Sequence, residues 1–281
     1  MHRVNEAIAD CTEAIQIQPN NARAYLDRSY FRDFGKGDID GAIADCTEAI
    51  RIDPHSWDAY MDRALLYYFD KSAYDEAIAD YSQAIAIDGT AYTYHCRAVV
   101  YFLKDDLPHA LEDYNQAIEL DPQAIDSYIG RGRVKLEQGD FDSALNDFNE
   151  ALLIRPQSFT AYYWRGYAYD EHGDLDQAII DYSRVIELFP YDWDALNDRA
   201  WARYCKEDYD RAISDATQAL EAHPMNPRDY WYSYHTRGAA YAAKGDHASA
   251  IADFQQALAL DPNDSEYEQE MRSYLLQHGV Q

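Results

Sequence analysis

The sequence predicts an all-α solenoid, in which one helix–turn–helix unit is repeated in tandem. Three observations predict it. Arginine recurs as Arg28, Arg63, Arg97, Arg131, Arg165, Arg199 and Arg237, at spacings of 35, 34, 34, 34, 34 and 38 residues. Alanine recurs with it as Ala7, Ala42, Ala77, Ala110, Ala144, Ala178, Ala212 and Ala250, each followed three residues later by an aspartate. Between these columns apolar residues return at helical spacing and are broken at regular points by glycine, aspartate or proline.

Taken in order, residues 4–17 (VNEAIADCTEAIQI) read as a second helix without its first. One helix of a pair cannot bury its apolar face alone, so preceding sequence, a partner or a second copy is expected to cover it. Seven helix pairs follow over 21–262, joined at Gly35–Asp38, Ser72–Tyr74, Asp105–Leu107, Gly139–Asp140, Gly173–Asp174, Glu207–Asp208 and Gly245–Asp246. The unit is clearest at Ala161–Pro190. Its first helix carries Tyr162, Arg165, Gly166 and Tyr169, and Gly173–Asp174 break it. Its second puts Ala178, Ile179, Tyr182, Val185 and Ile186 on one stripe, and Pro190 closes the unit because it cannot continue a helix.

The units are not uniform. The first two joints each carry one extra residue, which a loop absorbs at little cost. Gly89 stands where the other units place a closing proline. Residues 223–235 (HPMNPRDYWYSYH) are an aromatic insertion, read either as a loop packed on itself or as a contact loop. Residues 263–281 form a C-terminal capping helix, started by Asp264 or Ser265 and carrying Tyr267, Met271 and Leu275 on one stripe.

The columns state packing rules. Alanine at every second helix marks a crossing where only a small side chain reaches interior density. The small residues Ser29, Ala64, Ala98, Gly132, Gly166, Ala200 and Gly238 do the same on the first helices. A catalytic pair occurs once, whereas Arg and Asp recur in every unit. They are therefore read as a structural ladder, each first-helix arginine bonded to a second-helix aspartate.

The period, the AY-xx-RG-xAY first helix (Ala161–Tyr169), the AI-x-DY second helix (Ala178–Tyr182) and the closing proline resemble the tetratricopeptide repeat family over residues 4–262. The resemblance implies a right-handed superhelix whose first helices line a concave groove. Residues off the packing columns are then expected on that lining. They are Tyr30 and Phe34; Met61, Leu65 and Phe69; His95, Val99 and Phe102; Ile129, Arg133 and Leu136; Tyr163, Tyr167 and Asp170; and Asn197, Trp201 and Tyr204. Their N-terminal half is apolar. Further along they turn aromatic and acidic, with Glu171, Asp194 and Asp198 alongside. Family members that grip a C-terminal carboxylate do so with lysines and asparagines, and this lining offers only Arg133 and Asn197, two units apart.

Composition narrows the partner. Lys plus Arg is 24 against 51 Asp plus Glu, a net charge of −27. Nucleic acid and anionic membrane surfaces require a basic footprint, so neither is expected as a partner. A basic or partly apolar peptide is. No HExxH, GxSxG, Walker loop or strand-borne GxGxxG occurs, so neither an enzyme nor a cofactor is expected. His95 and His235 lie four units apart, too far to share a metal. Four cysteines lack ligand-like spacing, and Cys11 and Cys46, on helices expected about 8–10 Å apart, are too distant to bridge. With no apolar leader and no spanning stretch, a cytoplasmic location is expected. Two function classes follow: a module binding an extended, basic and aromatic peptide in the groove, or an assembly scaffold that self-associates through the apolar N-terminal half, as a homodimer at the uncapped end.

Overall fold

The computed structural model describes residues 2–69, 72–222, 230–260 and 267–280, among which there are sixteen helices and no strand. The array divides into two compact units, Met1–Gln138 and Gly139–Gln281. Unit 1 holds α1 (His2–Ile17), α2 (Ala22–Lys36), α3 (Ile39–Ile52), α4 (Trp57–Phe69), α5 (Tyr74–Ile87), α6 (Ala91–Leu103), α7 (Leu107–Leu120) and α8 (Ile125–Glu137). Unit 2 holds α9 (Phe141–Ile154), α10 (Phe159–Glu171), α11 (Leu175–Leu188), α12 (Trp193–Cys205), α13 (Tyr209–Glu221), α14 (Tyr230–Ala243), α15 (His247–Leu260) and α16 (Glu268–Gln277). Within each unit every helix packs on the next in the chain. No helix described is long and apolar enough to cross a membrane. The expected caps Asp264 and Ser265, and the first part of the 223–235 insertion, lie outside the described residues.

Local chemistry sets the helix boundaries. At the turn inside each pair one residue sits in the left-handed region, where a helix can stop and reverse. Glycine fills it at Gly37, Gly139, Gly173 and Gly245, but Ser72, Asp105 and Glu207 take it elsewhere, at φ 48°, 61° and 62°. The aspartate just after the turn then starts the second helix. Asp38, Asp106, Asp140 and Asp174 each accept a hydrogen bond from the backbone N–H three residues on. Asn21, Thr90, Ser158 and Asp192 cap first helices in the same way.

The packing columns meet as the sequence requires. The second-helix rings Tyr81, Phe148, Tyr182 and Phe254 are fully buried, each contributing roughly 1.5–3 kcal/mol of apolar burial. The first helix makes room for them. A Cβ added at Gly238 would stand 2.8 Å from the Phe254 ring. In the unit's earlier counterpart Ser29 meets the smaller Cys46 instead, Oγ to Sγ 3.1 Å. All four cysteines are free thiols. At the end of unit 2, α16 buries Met271 and Leu275 in the cluster around Phe254.

The arginine column is a three-way tie. Arg28, Arg63, Arg97, Arg165, Arg199 and Arg237 grip Asp45, Asp80, Asp113, Asp181, Asp215 and Asp253 through paired Nε and Nη2 bonds of 2.6–2.9 Å. The remaining Nη1 reaches back to the preceding second helix. It donates to Thr12, Thr47, Ser82, Asn149, Ser183 or Thr217, and Arg131 donates likewise to Asn115. Most of these guanidiniums also lie over the ring of the tyrosine three residues earlier, as Arg165 does over Tyr162 at 5.5 Å. The aspartate half of the ladder is legible in the sequence. The Ser/Thr/Asn half is an addition.

Candidate functional site

The surface left by this scaffold is set by which way each first-helix residue points. The residue two before the column arginine turns toward the neighbouring first helix. Asn197 accepts from Ser233 Oγ at 2.6 Å, linking α12 to α14, and His95 Nδ1 lies 3.1 Å from Ser127 Oγ, linking α6 to α8. Met61, Ile129 and Asn197, expected on the lining, are therefore buried between helices. This corrects the expectation, since a buried side chain cannot touch a ligand. The residue immediately before the arginine, about 100° further round the helix, lies toward the open side at Asp27, Asp62, Trp164 and Asp198, whereas Cys96, Gly130 and Thr236 are buried at that position.

In unit 1 the lining is apolar and open. Tyr30, Phe34 and Phe69 are 57%, 78% and 70% exposed, high values for rings of this size. Tyr30 and Phe34 pack at a tilt of 37° with centroids 4.9 Å apart. Together with Leu65 and Leu66 they line a cavity of about 160 Å³, edged by Asp33 and Asp62. A second hollow of about 640 Å³ adjoins it, sharing Tyr30 and Asp62 and adding Leu26, Asp27 and Asp58. Desolvation at the cavity wall, reinforced by Asp58, pushes the Asp62 carboxyl up to about 6. Beyond Phe69, Val99, Phe102 and Leu136 are half-buried. Arg133 lies over the Phe102 ring at 4.8 Å, and burial lowers its pKa. Burial likewise lowers that of His95.

Unit 2 presents a tighter, acidic lining. Tyr163 on α10 donates its hydroxyl to Asp198 on α12 at 2.9 Å. Tyr167, 37% exposed, and Asp170 follow on α10. Trp201 is half-buried in an aromatic group, its ring 5.2 Å from Tyr204, 6.3 Å from Tyr232 and 5.8 Å from both His235 and Tyr267. Burial, then Asp194, Asp170 and Asp192, push the Asp198 carboxyl up to about 7, against the hydrogen bond from Tyr163. Burial and Glu171 push Asp170 up to about 6. The sequence reading missed Asp62 and Tyr232. Asp62 and Asp198 occupy the same place in their repeats, and that recurrence was the available signal.

No group of three or more His, Cys, Asp or Glu side chains among the described residues could hold a metal ion. What the two linings can do chemically is bury apolar anchors and hold cations.

The chain matches family models described as tetratricopeptide repeat over residues 129–192 and again over 231–264, and one described as the ETO1 C-terminal domain over residues 2–137. No curated protein matches it. Among solved structures it is similar to a tetratricopeptide repeat protein from Parabacteroides merdae, at 20% identity and TM-score 0.69, covering 91% of this chain and 98% of that one. It is similar to yeast Tom70 at 18% identity and TM-score 0.62, over 98% of this chain and 59% of that one. It is also similar to YrrB, described as a repeat protein of this kind with an unusual peptide-binding site, at 21% identity and TM-score 0.54, over 66% of this chain and 95% of that one. At these identities the likeness to solved structures establishes the fold alone.

Proposed function

The chain belongs to the tetratricopeptide repeat family of protein-interaction modules, and from that premise we propose that it binds an extended peptide, aromatic or aliphatic at its anchors and basic between them. The observation that carries this reading is the unit 1 cavity, with three large exposed rings around it and carboxylates at its edge. Apolar anchors supply most of the energy at such surfaces, and charge supplies orientation and encounter rate. A net charge of −27 favours cationic segments over a wide range of approach. The peptide-binding site named for YrrB supports the same use of the fold.

The test is a random peptide array probed with the full chain at low and moderate salt. Enriched sequences should pair Phe, Tyr, Trp or Leu with Lys or Arg, and binding should weaken as salt rises. Phe34→Ala with Phe69→Ala should reduce affinity on the order of 2 kcal/mol or more. Enrichment of acidic sequences, or indifference to both phenylalanines, would overturn the reading.

The alternative occupant of this face is a second copy of the chain, since Phe34 and Phe69 present the apolar area a scaffold would use. Light scattering separates the two. A dimer that the Phe34→Ser and Phe69→Ser variant dissociates would replace peptide binding with self-assembly.

A further inference from the structure

The two hollows of unit 1 share a wall and differ in chemistry. The smaller is drawn mainly from the C-terminal halves of α2 and α4, with Tyr30 and Phe34 from one helix and Leu65, Leu66 and Phe69 from the other. The larger draws on their N-terminal halves, with Asp27 from one and Asp58 and Asp62 from the other. Tyr30 and Asp62 border both. The two helices therefore run side by side in one direction, and the lining between them passes from carboxylates to rings along their axes.

The larger hollow has carboxylates in excess. Among its described residues the one base is Arg23, which is held by Asp27 at 2.9 Å. Asp58 and Asp62 are exposed, and among the described residues neither makes an ion pair. They stand four residues apart on α4, where like charges repel. Asp58, in the first turn, gains from the helix dipole, and Asp62, a turn further in, does not. The smaller hollow, about 160 Å³, has room for one phenyl ring, since apolar cavities of roughly 150 Å³ bind benzene.

We propose that unit 1 selects a phenylalanine for the apolar hollow and an arginine for the acidic one, two residues apart in an extended segment that lies along α2 and α4. The proposal rests on the peptide-binding reading and names the side chains and the spacing that this site takes. From Asp62 to Leu66 is about 6 Å along the axis of α4. An extended chain returns a side chain to the same face at every second residue, about 6.6 Å on. Adjacent residues point to opposite faces, so they cannot fill both hollows. A guanidinium can donate to two carboxylates at once and stack on the exposed Tyr30 ring, whereas an ammonium is a compact point charge.

The experiment titrates the full chain with acetylated, amidated pentapeptides by calorimetry. The probes are Gly-Arg-Gly-Phe-Gly and its reverse, Gly-Phe-Gly-Arg-Gly, each against a control of the same composition with Arg and Phe adjacent. At least one spaced probe should saturate the chain and bind roughly fivefold or more tighter than its control. In that probe citrulline for arginine, which removes the charge at nearly constant shape, should weaken binding on the order of tenfold, and lysine roughly threefold. The citrulline penalty should fall below about twofold in the variant carrying Asp58→Asn and Asp62→Asn. Alanine for the peptide phenylalanine should cost on the order of tenfold against the unaltered chain and little against Phe34→Ala with Phe69→Ala. The arms that vary only the peptide decide the matter even where a variant fails to fold.

Equal affinity of spaced and adjacent peptides in both orders would overturn the proposal. So would lysine binding as tightly as arginine, or a citrulline penalty that survives in the Asp58→Asn and Asp62→Asn variant. Light scattering that shows this face closed in a dimer would overturn it too. If the pentapeptides fail while array peptides still depend on Phe34 and Phe69, the peptide-binding reading stands without this pairing. Loss of both dependences removes that reading as well.

Discussion

Asp62 in unit 1 and Asp198 in unit 2 occupy the same place in their repeats, one residue before a column arginine, yet they face different chemistry. Asp62 edges an open cavity beside exposed phenylalanines. Asp198 accepts a hydrogen bond from Tyr163. The carboxyl of each is raised by desolvation, Asp62 to about 6 and Asp198 to about 7. The same repeat position displays a carboxylate in both units, and the neighbouring residues decide what that carboxylate faces. Unit 1 exposes apolar rings, and unit 2 gathers carboxylates among aromatic rings.

The largest effect should be common to both units, because both rest on the same ladder. Arg63→Ala in unit 1 and Arg165→Ala in unit 2 each strand a buried carboxylate and should each cost about 3–5 kcal/mol in urea unfolding. Adding Asp181→Ala to Arg165→Ala should cost less than the sum of the two single changes, since the stranded charge leaves with it. Unequal losses between the units, or an additive cycle, would show that the scaffold is not shared.

Binding should then separate what stability does not. Phe34→Ala with Phe69→Ala should weaken array peptides carrying an aromatic anchor more than Tyr167→Ala does, whose cost should be on the order of 1–2 kcal/mol. Equal losses from the two changes would erase the distinction between the linings.

Acidity sharpens the comparison further. The Asp198 and Asp170 carboxyls hold protons more readily folded than unfolded. The stability they contribute is complete below an ordinary carboxylate pKa near 4 and is lost as pH rises through about 6 and about 7. A basic peptide segment is attracted by these carboxylates only when they are ionised, so its binding should strengthen over that same rise, measurable by titration calorimetry across the pH range. The facing groups Asp192, Asp194, Tyr163 and Tyr232 contribute to the Asp198 shift or share its site, and Tyr163→Phe should move the Asp198 midpoint upward. A midpoint that stays still would remove that hydrogen bond from the account.

The smallest effect concerns the turns. Glu207 in unit 2 and Asp105 in unit 1 both hold left-handed backbone. Aspartate tolerates that region better than glutamate, so Glu207→Gly should stabilise by roughly 0.5–1 kcal/mol and Asp105→Gly by less.

The fold was legible because its rules recur. Each column states a packing constraint several times over, and the turn residues fall between the columns. The Thr12, Thr47 and Ser82 column was equally present in the sequence, but varied residue types that share only an oxygen are harder to see than an invariant arginine. The site was less legible. Met61 and Asn197 were placed on the lining, whereas Asp62 and Asp198 hold it. Neighbours on a helix differ by about 100°, and the periodicity of one helix does not say how it is rotated against the next first helix. Tyr182 reads as an ordinary core tyrosine, and only the structure shows its buried hydroxyl without a hydrogen-bond partner.

The arginine's backward bond has a bearing on how such a chain lengthens or shortens over generations. It asks the preceding repeat for nothing more than one oxygen, which threonine, serine and asparagine supply alike. It also ignores the length of the connection. The donor lies 16 residues after its acceptor from Asn149 to Arg165, 15 from Ser82 to Arg97 and 20 from Thr217 to Arg237, and the bond forms in each. A joint this undemanding lets a repeat be duplicated, lost or exchanged without a matched change in its neighbour. The linings, which touch no such joint, are then able to diversify one repeat at a time.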